Sequence, residues 1–493
     1  MKKYRYILSM AVLLFCSLIS CKKDFLSVVP LGKQVAVTTS DYGLIMNNQD
    51  MYLANPTGGW AGPALMGDDV SAEATYFNSA QARSQQAFKW GDDIYQPSDT
   101  PTDLRNWITN LYLCNKVINE VMSSTGGTAQ QKSALQAEAR ASRAWLYFQF
   151  VNYYGKPYKA STAATDPAFP IITTADVTAN GYSRNSVQEV YDFIVNDLTT
   201  AIPNLPVQNT SATRFARPAA EGLLGKVYLF MNNGSAALTQ ITAALTDNAA
   251  ATTPARLYDY NKEFAVGGKF YPITTNGPTN SPEVNYTDVT ESVLAYTFFN
   301  GNYNGNSFGS DFIVLSPQAV ALFAPSDLRL NFYTAHYINN VVNPSGRLAK
   351  YKAFGTPYAK YGLQISELYL LSAEAKARLN NLSGAETDIE TLRKCRMPVA
   401  NATVPAAIVA SQPALLQYIF DEREREFATQ GYRWFDMRRI SVDPLLTAPT
   451  YNHILYNDAT STNTTIYPLS PVRLTQRLSP YIMLSNPQFT DNP

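Results

Sequence analysis

Histidine is nearly absent from this chain, with two in 493 residues, His336 and His453. A histidine-based catalytic triad or a multi-histidine metal site therefore has little to draw on. Cysteine is also sparse, at positions 16, 21, 114 and 395, and the spacing matches no metal-binding cluster. Charged residues make up only 16% of the chain, 39 basic against 39 acidic, so there is no basic excess of the kind that attracts nucleic acid. No P-loop, Rossmann glycine fingerprint or EF-hand loop occurs, and nothing asks for a cofactor. Beyond the first twenty residues, no segment is apolar enough to span a bilayer.

Those first twenty residues read as a signal peptide. MKKYR is a basic start, and YILSMAVLLFCSLIS is an apolar run ending in small residues. Leu18-Ile19-Ser20-Cys21 then has the pattern of a bacterial lipobox, which makes Cys21 the lipidated first residue of the mature chain. A plain secretory signal with a chance cysteine is the alternative. Acyl chains contribute roughly 0.8 kcal/mol per buried CH₂, enough to anchor a protein without a spanning helix. Residues 21–35 then form a lipidated tether, and 36–493 a single domain. With Cys21 acylated, Cys114 and Cys395 are either one thiol each or one disulfide.

Aromatic residues are abundant at 12%, with 32 Tyr, 23 Phe and 5 Trp, and Tyr suits surfaces that are part buried and part wet. Apolar residues recur at spacings of three and four in several blocks, which predicts helices. One places Trp107, Leu111, Cys114 and Ile118 on a face. A second carries Leu135, Ala139, Leu146, Phe150 and Tyr153 and stops at Gly155 and Pro157. A third carries Val187, Val190, Tyr191, Ile194 and Leu198. RPAAEGLLGKVYLFMNN and ISELYLLSAEAKARLNNLSGAETDIETLRKC continue the series. Paired helices with small residues where partners cross predict helix–turn–helix repeats of tetratricopeptide type, stacked as a partial solenoid. From about 240 to 360 the periodicity is lost in Asn, Thr, Gly, Pro and Tyr, predicting a loop-rich insertion with short strands.

The stretch EREREFATQGYRWFDMRR, 422–439, concentrates charge and aromatics together. On a helix from Pro413, Arg423 falls inside the apolar stripe of Leu416, Ile419, Phe420 and Phe427, so it needs a buried partner. Local pairs at i+3 or i+4 are Asp421 or Glu422 with Arg425, and Arg423 with Glu426. Neighbouring arginines lower both Glu422 and Glu426, the wrong direction for a general acid. This corner reads as structural.

The same stretch resembles the C-terminal hallmark of the SusD/RagB family of Bacteroidetes outer-membrane lipoproteins. AEARASRAWLYFQFVNYYGKPY, SVQEVYDFIVNDLTTAIPNLP, ISELYLLSAEAKARLN, Asp327-Leu328-Arg329 and DFL after the lipobox are similar to that family in the expected order. The 240–360 region does not match it. The resemblance implies a mostly α fold of tetratricopeptide-like helix pairs with a variable loop-rich face. It implies a lipid-anchored place on the outer membrane, facing the cell surface. It also implies a SusC-like TonB-dependent transporter as partner, a glycan or peptide ligand, and no reaction of its own.

Sugar capture needs flat aromatic faces flanked by amides and carboxylates. Two loops offer them: Trp60, Asp68, Asp69, Tyr76 and Phe77 in the first, and Phe299, Asn300 and Tyr303 in the second. Trp60 leads, because Gly58, Gly59 and Gly62 leave its faces open. The competing class is a lipoprotein glycoside hydrolase, which needs two carboxylates about 5 to 9 Å apart across a cleft. Asp68 or Asp69 with Asp92 or Asp93 would be that pair.

Overall fold

The computed structural model describes residues 35–54, 60–275, 277–282, 285–299, 312–336, 342–350, 358–458, 460 and 462–493. Ten helices carry the architecture: α1 (Thr39–Met46), α2 (Thr102–Glu120), α3 (Ala129–Tyr154), α4 (Val187–Ala201), α5 (Arg217–Phe230), α6 (Gly234–Ala250), α7 (Ile365–Arg378), α8 (Leu382–Lys394), α9 (Gln412–Phe427) and α10 (Tyr432–Ile440). Their ends follow local chemistry. Thr128 and Ser186 close capping boxes with Gln131 and Glu189 at the starts of α3 and α4. Pro218 sits in the first turn of α5, where its missing N–H costs nothing, and Gly155 caps α3.

The helices pack as a mostly α array of neighbouring pairs. α2 lies on α3, α3 on α4, α5 on α6, and α7 on both α8 and α9, while α6 meets α7 across the long irregular segment between them. Small residues set the crossings: a Cβ on Gly225 of α5 would stand 2.5 Å from Ile241 Cγ1 of α6. The predicted stripes of α2 and α4 are buried as expected. α3 is more central than its period suggested, since every residue from Ala137 to Tyr154 except Arg140 is buried.

α6 runs to Ala250, and from there to α7 no described helix exceeds six residues. The described strands form small sheets. The largest contains β1 (Val70–Glu73), β2 (Ile313–Leu315), β3 (Asn452–Tyr456) and β4 (Thr464–Pro468), in the order β4-β3-β1-β2. In a second, Leu53–Ala54 runs parallel to Thr297–Phe299, which pairs antiparallel with Tyr358–Lys360. Ala54 lies opposite Phe298, and Phe299 opposite Tyr358. The chain therefore leaves this sheet after Ala54 and after Phe299, and enters it at Tyr358, all at one end.

α9 and α10 meet in a buried ionic corner. Asp436 accepts from Arg423 at 2.8 Å and from Arg439 at 2.7 Å. Glu422 is met by Arg393 and Arg425 at 2.7 Å and by Arg329 at 2.8 Å. Glu426 pairs with Arg396 at 2.7 Å and Arg329 at 3.0 Å. Of the local pairs expected, Glu422–Arg425 forms. Arg423 turns away from Glu426 to Asp436 and Glu367, and Asp421 instead accepts from Gln417. Burial opposes ionisation of Glu422, but Arg425, Arg329 and Arg393 outweigh it and hold the carboxyl well below its ordinary range.

Arg423 is 2% exposed, so truncating it leaves buried Asp436 with Arg439 alone and buried Glu367 with Lys226 alone. Arg423→Ala should lower unfolding free energy by about 3–5 kcal/mol. Denaturant melts check this, and a loss below about 1 kcal/mol would show that the corner relaxes around the missing charge.

Candidate ligand-binding site

The first candidate loop is used for packing. Trp60 is 2% exposed and corrects the expectation of an open platform. Its ring stacks on Tyr361 at 5.0 Å and on Phe435 at 5.2 Å, with Tyr432 edge-on at 5.6 Å. Its indole N–H donates to the Gln430 carbonyl at 2.6 Å. Gly431, at φ +90°, makes this approach possible, because a Cβ there would sit 2.8 Å from the indole nitrogen. Phe77 is likewise a core residue, edge-on to Phe88 and Phe312, and offers no face to a ligand. Tyr76 is half-buried. The backbone of Phe299 lies in the small sheet, while Asn300, Tyr303 and Cys21 lie outside the described residues.

Asp68 and Asp69 also turn inward. Arg433 donates to Asp68 at 2.6 Å, and the Thr429 amide to Asp69 at 2.6 Å. Arg433 also reaches Glu424, at 3.2 Å. Asp68 and Glu424 thus share one guanidinium, and Asp69 lies close enough to feel its charge. Burial pushes the Asp69 carboxyl up to about 6. Burial pushes Glu424 up to about 8 against the pull of Arg433, and the charges of Asp68 and Asp69 add to the rise. Asp92 and Asp93 are largely exposed and face Arg473 and Arg477. The acidic pairs considered for glycoside hydrolysis are thus held by separate cationic or amide partners. Cys114 and Cys395 are free thiols, and burial pushes Cys114 up to about 12. His453 is sandwiched between Phe88 and Trp90, with ring centroids at 4.3 and 3.7 Å.

A cleft that the sequence motifs did not single out opens elsewhere. It has a volume of about 740 Å³, within the range of ligand sites, and is lined by parts of the segments 207–218, 248–256 and 285–293 and by Lys269. Its walls come from the α4–α5 connection, the end of α6 and the loop-rich region. Cross-ties fix them: Thr253 N donates to Gln208 Oε1 at 3.0 Å, Arg256 N to the Thr290 carbonyl at 2.9 Å, and Ala295 N to the Ala212 carbonyl at 2.7 Å. Asn248 bonds both backbone groups of Ala255, closing the turn after α6. The lining mixes amide and hydroxyl side chains with small apolar ones and a few charged groups.

Residues 39–229 match a family model described as starch-binding associating with outer membrane, and residues 290–481 match the model of the SusD family. The chain belongs to the SusD/RagB family. A SusD-like protein from Formosa agariphila is 24% identical over 356 residues, 61% of this chain and 65% of that relative, so the chain spans just under two thirds of the relative it matches. A SusD-like protein from Bacteroides ovatus is 34% identical over 131 residues, 25% of this chain and 21% of its own. A SusD superfamily structure from Bacteroides thetaiotaomicron superposes with a TM-score of 0.69 at 18% identity, covering 93% of this chain and 100% of its own. A SusD-like carbohydrate binding protein from Bacteroides vulgatus gives 0.65 at 18% identity, over 92% and 97%. These similarities fix the fold as SusD-like, and the family descriptions place it in association with the outer membrane.

The crowded acids of this SusD-family chain make its stability pH-dependent. Glu424 is raised in the fold, so its contribution is complete below pH about 4.5 and is lost as pH rises through about 8. Glu424→Gln should flatten the decline of melting temperature between pH 5 and pH 8. Parallel profiles for the variant and the parent would show that this proton is not held in the fold.

Proposed function

We propose that this protein captures glycans at the cell surface and delivers them to a SusC-like TonB-dependent transporter, held on the outer membrane by acyl chains on Cys21. The observation that carries the reading is the pair of family matches in order along the chain, one described as starch-binding associating with outer membrane. Among the described residues no helix is long and apolar enough to cross a membrane, which fits attachment through lipid. We read the protein as a binder without a reaction of its own. In support, Glu422 and Glu426 are locked to arginines, and the raised carboxyls of Asp69 and Glu424 are buried. A peptide-binding role is the second reading within the family.

Full-length protein in mild detergent should show saturable binding to at least one oligosaccharide in a panel and release no new reducing ends from it. Size-matched peptides should not bind, and a large TonB-dependent barrel should co-purify. Peptide binding alone would favour the second reading, and new reducing ends would overturn the binder assignment.

Cys21→Ala should move the protein to the soluble fraction. Retention on salt-washed membranes of a strain lacking the barrel would overturn the lipid anchor.

A further inference from the structure

The 740 Å³ cleft between the α4–α5 connection and the loop-rich region is lined by two side-chain amides whose oxygens are engaged, Gln208 and Asn285. Gln208 spends its carbonyl oxygen on the Thr253 amide, which leaves its NH₂ without a partner among the described residues. Asn285 spends its oxygen on the amide and hydroxyl of Thr287, at 3.1 and 2.7 Å, and its NH₂ is likewise unused. Both amides line the cleft, each oriented by the bond its oxygen accepts.

Charge adds to this bias. Three cations line the cleft, and two are neutralised locally: Arg214 by Glu138 at 2.5 Å, and Lys269 by Asp288 at 2.7 Å. Arg256 is exposed and makes no ion pair among the described residues. Its guanidinium lies 5.6 Å from the Tyr258 ring centroid, within cation–π range. Tyr258 is itself fixed by its hydroxyl, which donates to Asp288 at 2.8 Å. Arg256 is thus a supported guanidinium with its paired donors unspent, the group best suited to grip a planar oxyanion.

We infer that this cleft is a saccharide subsite selective for oxyanion-bearing sugars, with Arg256 pairing a carboxylate or sulfate and the Gln208 and Asn285 amides donating to neighbouring sugar oxygens. The volume admits a short oligosaccharide, and the cross-tied walls mean that little ordering is needed on binding. The inference rests on the glycan-binding reading and adds a location and a chemical class to it. A neutral sugar brings hydroxyls that satisfy the amides but leaves Arg256 unmatched.

Calorimetric titration of the full-length protein in mild detergent tests this with three size-matched probes: oligogalacturonate, a sulfated heparin tetrasaccharide and neutral maltotetraose. At least one acidic probe should bind ten-fold or more tightly than the neutral one. That preference should fall at least ten-fold in Arg256→Gln and about three-fold in Gln208→Ala, with melting temperatures unchanged. Which acidic probe binds identifies the oxyanion. Equal affinity for acidic and neutral probes, or acidic binding that survives Arg256→Gln, would overturn the inference while leaving glycan capture standing. Failure of all three, with other glycans bound, would refute the subsite alone, and failure of every glycan would refute both.

Discussion

Burying arginine is the constraint on which the architecture turns. Arg396, Arg423 and Arg438 are among the largest fully buried side chains, and each must find its partners in another part of the chain. Arg423 joins α9 to Asp436 on α10 and Glu367 on α7, and Glu367 also accepts from Lys226 on α5 at 2.8 Å. Arg439 carries the chain of contacts to Glu374 on α7. Arg396 ties α9 to Glu291 and the Tyr258 carbonyl in the loop-rich region. Arg438 has no carboxylate partner among the described residues and donates instead to the carbonyls of Gly155, at 2.7 Å, and Leu474. Such a network gains little net stability over an apolar core. What it contributes is specificity, because a wrong helix register would strand several charges at once.

How much of this was legible before the structure depends on the range of the interaction. Helix existence, caps and stripes are local, so α2, α4 and α9 followed directly from spacing. Arg423 in an apolar stripe correctly announced a buried partner, but i+3 and i+4 spacing named the wrong one. The true partner lies 13 residues on, across the turn at Gly431. Trp60 failed for a related reason. Glycines around it suggested an open face, whereas the glycine that mattered was Gly431, 371 positions away, whose missing Cβ lets the indole settle against the α9–α10 turn. Sequence shows that a residue has room, but not what fills it.

The cleft illustrates the opposite case. Its residues carry no motif, and its one advance signal was the Asn- and Thr-rich composition after residue 240, which marked a region unlike the family's helical blocks. The side chains that shape it, Asn248 and Gln208, work by satisfying backbone groups of the turn at 253–255. Such residues read as ordinary loop composition until the partners are seen.

The division between ionic scaffold and polar cleft bears on what the molecule can do. In the scaffold, Glu422 is locked to guanidinium groups that keep its carboxyl low, whereas burial raises Glu424. Around the cleft, the Gln208 and Asn285 NH₂ groups are unspent among the described residues, while the Asp288 carboxylate is paired with Lys269. The two regions are nevertheless joined. Tyr258 supports Arg256 on the cleft side, while its carbonyl accepts from Arg396 and its amide donates to Glu291 on the scaffold side. The cleft wall is therefore tied to the buried ionic network through one residue, which holds the charges along it in a fixed arrangement.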